Sequence, residues 1–124
     1  VLGDLARNHI IPVAIKYQNI LIENVKGLKD ILDTEAYERA SVCPLKLIRE
    51  ISGHVEQIQE QIDLMIDERK VANRIEDAEE KALAYNEKVL PCFEIIRRHV
   101  DKLELKVDDE LWPLPKYREL LFLR

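Results

Sequence analysis

Apolar residues recur along this chain at alternating steps of three and four, in three separate stretches. The first stretch consists of Ile10, Ala14, Tyr17, Leu21, Asn24, Leu28 and Ile31, and it is widened by Ile11, Val25 and Leu32. The second consists of Ile48, Ile51, Val55, Ile58, Ile62, Met65, Arg69 and Ala72. The third consists of Ala78, Ala82, Tyr85, Val89, Cys92, Ile96, Val100, Leu103 and Val107. Such steps place side chains on one side of a helix, so the pattern predicts three long amphipathic helices.

Prolines and one candidate cap mark the ends and the irregular points of these helices. Pro12 either opens the first helix or kinks it, because proline has no backbone N–H and a fixed φ. Pro44 occupies the place of a first helical residue. Pro91 lies inside the third helix, which we expect to bend near Glu87. Asp77 is the candidate N-cap of that helix.

The connections between the three helices are short. Residues 33–43 form a connector with room for one helical turn, and residues 73–80 join the second helix to the third. Short connections make neighbouring helices run antiparallel. The sequence therefore predicts an all-α fold of three long helices in an up-down-up antiparallel bundle, with a short C-terminal helix or tail. Residues 1–124 are expected to form a single helical-bundle domain.

The end of the chain is unusually apolar. From Leu111 to Leu123, eight of thirteen residues are large and apolar. Residues 111–124 are therefore interpreted as an apolar docking tail, which either folds back on the bundle after Pro113 and Pro115 or docks on another domain or subunit. The candidate packing residues are Trp112, Leu114, Tyr117, Leu120, Leu121 and Phe122.

The net charge argues against two kinds of binding function, and the cysteine content indicates a cellular compartment. The formal net charge is −5, from 19 basic and 24 acidic side chains. A nucleic-acid module needs a basic stripe, and binding to anionic membranes needs basic clusters, so both functions are disfavoured. The two cysteines, Cys43 and Cys92, have no CxxC partner, which favours a reducing cytoplasm.

Catalytic and metal-binding motifs are missing from the sequence. None of its three histidines follows a Glu three residues earlier, as a di-iron bundle requires, and zinc, calcium and phosphate-loop motifs are also missing. Cys92 and His99, one heptad apart, are interpreted as a buried thiol beside a partly exposed ring. Arg69 is expected to send its charged head to water. An enzyme that clamps a dicarboxylate between helices needs several inward cations, and it is disfavoured because Arg69 is the only cation that interrupts the stripes. The sequence therefore predicts no catalytic, cofactor-binding or metal-binding residue in this chain.

Several stretches together resemble one protein family. They are ARNHIIPVAIKYQN, LIENVKGLKDIL, EISGHVEQIQ, KALAYNEKVLPCFEIIRRHVDKLE and DDELWPLPKYRELLF. The set resembles the C-terminal region of type III glutamine synthetases, the large bacterial form of the enzyme. The resemblance covers nearly the whole chain, and its most specific part is the closing WPLPKYRELLF.

The resemblance implies a domain of a larger enzyme of nitrogen metabolism. These enzymes join ammonia to glutamate with ATP and Mg²⁺ or Mn²⁺, and they assemble as stacked hexameric rings. Their catalytic ligands precede this region, so no catalytic residue is carried over and the fragment alone is expected to have no synthetase activity. The implied partners are the catalytic domain of the same chain and neighbouring subunits of a homo-oligomer. The implied role is structural, assembly or regulatory; the alternative is a free-standing helical adaptor that binds partner helices.

Four apolar residues lie outside the three stripes. They are Val13, Ile20, Leu47 and Leu64. They are either candidates for subunit contacts or ordinary scattered surface residues.

Overall fold

The computed structural model describes residues 2–107 of the chain, and within that range every regular element is a helix. Helix α1 spans residues 2–31, α2 spans Thr34–Ala40, α3 spans Val42–Asn73 and α4 spans residues 78–104. The prediction of an all-α fold is confirmed. The prediction of three helices is corrected to four, because the first connector contains the seven-residue helix α2. The Asp33 carboxylate caps α2 by accepting a hydrogen bond from the Ala36 N–H at 2.8 Å.

Contacts between side chains define the directions of the long helices. Between α1 and α3, Arg7 meets Asp63 near one end, while Gln18 donates to Ser52 further along. As the residue numbers increase along α1, the residues that they contact on α3 have decreasing numbers. The same holds between α3 and α4, where Glu50 meets Lys106 and Asn73 accepts from the Tyr85 hydroxyl. Each of these two pairs of long helices is antiparallel, and α3 lies between α1 and α4.

Two of the prolines lie just after π-helical turns. The turn Ala6–Ile10 precedes Pro12 in α1, and the turn Tyr85–Val89 precedes Pro91 in α4. In both turns the residue before the proline donates five positions back, since the ring of the proline obstructs a regular turn. Helix α1 thus continues through Pro12, and the irregularity expected around residue 87 is a widened turn. Helix α3 begins at Val42, two residues before Pro44, which the first turn tolerates because its N–H groups have no helical partner.

The three stripes supply most of one continuous core. Its buried members are Ala6, Ile10, Ile11, Ala14, Ile51, Ile58, Ile62, Met65, Val89, Cys92, Ile96, Val100, Leu103 and Val107. Tyr17, Leu21, Val55 and Tyr85 pack partly buried against it. The core therefore fills the space between the three long helices with apolar side chains.

The C-terminal end of the first stripe does not belong to the core. Ile31 is 82% exposed and Asn24 is exposed, whereas Val25 is buried. A strict seven-residue repeat drifts by about 20° per heptad around a straight helix, so three heptads turn Ile31 well away from Ile10. For this reason Ile31, although it belongs to the predicted apolar stripe, does not contribute to the core.

The N-terminal end of the third stripe does not belong to the core. Ala78 and Ala82 are exposed, while Lys81 and Ala84 are half-buried. The π-helical turn adds a residue between Ala84 and the buried Val89, so the residues before it are rotated relative to a regular helix. The inward positions of α4 are therefore offset on the two sides of this turn.

The tail lies outside the described residues. This applies to the docking segment 111–124 and to its candidate packing residues, namely Trp112, Leu114, Tyr117, Leu120, Leu121 and Phe122. Their packing stays a prediction.

Truncating a core side chain of α3 should destabilise the bundle strongly. Ile58 is fully buried, and replacing a buried Ile by Ala costs about 2–5 kcal/mol through lost burial and the cavity left behind. We expect Ile58→Ala to lower the free energy of unfolding in chemical denaturation by about that amount. Ile31→Ala is the matched control on an exposed site and should change it by less than about 0.5 kcal/mol. Equal effects of the two substitutions would contradict the core described above.

Removing the cap of α4 should have a smaller effect. The Asp77 carboxylate accepts a hydrogen bond from the Glu80 N–H at 2.9 Å, which confirms the predicted N-cap. Asp77→Ala should cost about 1 kcal/mol in the same denaturation experiment. Glu76→Ala, one residue before the cap, is the control and should be nearly neutral. A neutral Asp77→Ala would show that the cap contributes nothing to stability.

Candidate functional site

The surface of α4 carries an apolar patch beside the π-helical turn. Leu90 is 48% exposed and Phe93 is 37% exposed. Residues three apart on a helix are neighbours, so these two side chains form one apolar surface. Next to them is an open pocket of about 380 Å³, with a mostly apolar lining of Ala82, Tyr85, Asn86, Val89 and Leu90. These residues and Phe93 are called the α4 patch below.

The π-helical turn explains why the α4 patch was not predicted. The sequence pattern puts Ala82 and Tyr85 on the apolar side of a helix that bends near Glu87, but it does not reveal the extra residue of a π-helical turn. Because the widened turn changes the direction of the side chains before it, Ala82 faces solvent and Tyr85 is half-buried. The position of Pro91 was the available signal, since a proline inside a helix often accompanies such a turn.

The four outward apolar candidates divide into two groups. Ile20 and Leu64 are about half exposed, as expected of contact candidates. Val13 packs partly buried against the core, and Leu47 is also half-buried. Val13 therefore has a role within the bundle itself.

A polar seam joins the beginning of α3 to the end of α4. The Nδ1 atoms of His54 and His99 lie 2.9 Å apart, and the ring centroids are separated by 5.2 Å. One turn earlier on α3, the Glu50 carboxylate lies 2.8 Å from the Lys106 ammonium and 4.0 Å from that of Lys46. These five residues are called the polar seam below.

The polar seam shifts the titration of its members. Partial burial, followed by the charge of its partner ring and of Lys106, lowers the pKa of His54. Partial burial also lowers the pKa of His99, with smaller contributions from nearby cations. The hydrogen bond from Lys106 lowers the pKa of Glu50. At neutral pH the two rings are therefore neutral and Glu50 is ionised.

The remaining candidate for chemistry is a buried thiol. The Cys92 Sγ–H donates to the carbonyl of Lys88 at 3.5 Å, and burial raises the pKa of this thiol. A buried thiol of raised pKa is a poor nucleophile, so Cys92 acts as a small core residue. His99 contacts His54, a pairing that the sequence pattern does not predict. Arg69 is exposed, as expected.

The described residues provide neither a metal site nor a membrane-spanning helix. Across residues 2–107, no three His, Cys, Asp or Glu side chains converge in a way that would hold a metal ion. No helix in the part of the chain that the structure describes is long and apolar enough to cross a membrane. Among residues 2–107, the α4 patch and the polar seam remain the main candidates for a functional surface.

Comparison with known proteins identifies relatives over almost the whole chain. A protein named glutamine synthetase from Bacteroides fragilis (strain YCH46) is 54% identical over 122 residues, which cover 98% of this chain and 17% of that protein. A type-3 glutamine synthetase from Dictyostelium discoideum is 28% identical over an alignment of 130 residues, covering 99% of this chain and 17% of that protein. No family model matches the chain.

The chain spans about 17% of the length of these curated relatives, so the matched region is a small part of each. Identity of 54% along nearly the entire chain is far above what a shared helical pattern produces. The resemblance found in the sequence is confirmed: over almost its full length, the chain is homologous to one region of glutamine synthetases, the type III enzymes among them.

Proposed function

We propose that this chain serves as a non-catalytic helical domain of a type III glutamine synthetase. The observation that carries the proposal is the 54% identity that extends over 98% of the chain. The type III class is supported by the similarity to the type-3 enzyme of Dictyostelium discoideum. The parent reaction would be the ATP-dependent ligation of ammonia to glutamate, with Mg²⁺ or Mn²⁺. In this proposal the ligands of ATP, metal and glutamate belong to the rest of the enzyme.

The packing of the bundle supports a structural role. The space between the long helices is filled by buried apolar side chains such as Ile51, Ile58 and Ile96. Interiors packed in this way are rigid, and they suit a domain that holds other parts in position. The thiol of Cys92 is held within the same core.

The α4 patch supports a contact with another domain or subunit. Fully burying a Leu or Phe side chain contributes about 1.5–3 kcal/mol. Leu90 and Phe93 are only partly buried in the bundle, so burying the rest of their surface against a partner would contribute part of this free energy to binding. The partner is the catalytic domain of the same chain or a neighbouring subunit of a homo-oligomer. Ile20 and Leu64 are further candidates on α1 and α3.

We also propose that the protein acts in the cytoplasm. Cys43 is exposed and unpaired, and Cys92 is unpaired in the core. Free thiols in this arrangement suit a reducing compartment.

A chimeric enzyme tests the proposal. The matched region of the Bacteroides fragilis protein is replaced by this chain, because the two are 54% identical there. We expect glutamine formation and particle mass close to those of the parent, measured by a product assay and by light scattering. A chimera that folds but neither assembles nor forms glutamine would contradict the proposal.

Substitutions in the α4 patch of the chimera then test the contact. Leu90→Ser together with Phe93→Ser should reduce the particle mass or the activity, because two apolar anchors are lost. Leu105→Ser is the control, since Leu105 is 85% exposed and lies outside the α4 patch. If the double variant matches this control in mass and activity, the α4 patch is not a contact surface.

A further inference from the structure

The close approach of His54 and His99 limits how many protons the pair can hold. With 2.9 Å between the two Nδ1 atoms, one ring must donate its Nδ1–H and the other must accept with a bare Nδ1. A neutral pair satisfies this arrangement, and so does a pair that carries one additional proton. A doubly protonated pair does not, because two N–H groups and two positive charges would then face each other.

The surrounding charges make double protonation more costly. On α4, Lys102 and Lys106 oppose the charging of His54, and Lys102 and Arg98 oppose the charging of His99. On α3, Glu50 is the acidic group that favours a charged His54. Its carboxylate is already engaged by Lys106 at 2.8 Å, with Lys46 at 4.0 Å. Added protons would therefore enter a region that already contains excess positive charge.

The position of the pair makes this repulsion consequential. His99 lies in the last turns of α4, which ends at Glu104. Beyond it, Leu103 and Val107 are buried in the core at that end of the bundle. Helix ends open at lower free energy than the middle of a packed helix. Loss of the bond between the rings would therefore weaken the contact between the last turns of α4 and α3.

We propose that the His54–His99 pair is a proton-sensitive clasp, which holds the end of α4 on α3 at neutral pH and releases residues 99–107 in mild acid. The clasp is separate from the α4 patch and does not depend on the function proposed above. Residues 99–107 then move as one local unit while the middle of the bundle stays folded.

The pH window of the clasp follows from the direction of the two titrations. Both histidines have a pKa below the ordinary 6.5, so as the pH falls the open state takes up protons before the closed state does. The clasp is therefore fully effective above about pH 6.5 and weakens as the pH falls through the lowered pKa values. Ordinary carboxylates titrate near pH 4, and the Glu50 carboxyl has a lowered pKa, so both stay ionised in this window.

Nitrogen-15 NMR of the histidine rings tests the pairing directly. At pH 7.5 we expect one of the two rings to be the Nδ1–H tautomer and the other to have a bare Nδ1. The exposed His9 ring is the internal reference. If both paired rings have the same tautomer, the clasp is absent.

Hydrogen exchange tests the release. Between pH 7.5 and 5.5, protection factors of the amides at residues 99–107 should fall several-fold after correction for intrinsic exchange, whereas those at residues 58–65 should change little. His99→Gln should remove this acid dependence, and His9→Gln should retain it. An acid response that His99→Gln leaves intact would overturn the proposal. If His99→Gln fails to fold, the proposal is tested by the ring tautomers and the exchange profile of the unsubstituted chain. A loss of amide protection in acid that is uniform along α4 would then overturn the proposal.

Discussion

Helix α3 has to bury one apolar stripe against two neighbouring helices at once, and the rest of the structure depends on this requirement. Ile51, Ile58 and Ile62 are all but inaccessible to solvent, and they belong to a core that also contains residues of α1 and α4. A side chain that is closed in from both flanks restricts how far either neighbour can slide or rotate. The antiparallel register that results places His54 beside His99 and Glu50 beside Lys106.

The two prolines impose a second requirement on the backbone. Pro12 and Pro91 each occur within a long amphipathic stretch, where a regular helix would lose a hydrogen bond and meet the proline ring. In both cases a π-helical turn before the proline keeps the helix continuous. The added residue changes which side chains face inward, so the turn in α4 exposes Ala82 beside Leu90. The α4 patch is thus a consequence of how the chain accommodates Pro91.

The sequence predicts the fold and the core well, because burial repeats with the period of the helix. It allows one helical turn in the first connector but not the full helix α2, whose seven residues are too few for a periodic signal and depend on the Asp33 cap. The histidine pair was missed for a different reason: periodicity identifies the buried side of each helix but not the register between helices. The α4 patch was not predicted because the pattern of apolar residues does not show that α4 contains a π-helical turn. A contact such as Nδ1 to Nδ1 becomes visible only when two helices are positioned side by side.

The proposed clasp and the α4 patch occupy different parts of the same helix. Leu90 and His99 are separated by nine residues, which corresponds to about 13 Å along a helix. Buried Cys92 and Ile96 anchor the intervening turns in the core. Opening of residues 99–107 would therefore leave the α4 patch in place, so a contact there would survive while the end of the helix responds to acid. In an enzyme that contains this domain, attachment and pH response would then be separable properties, since each depends on its own set of side chains.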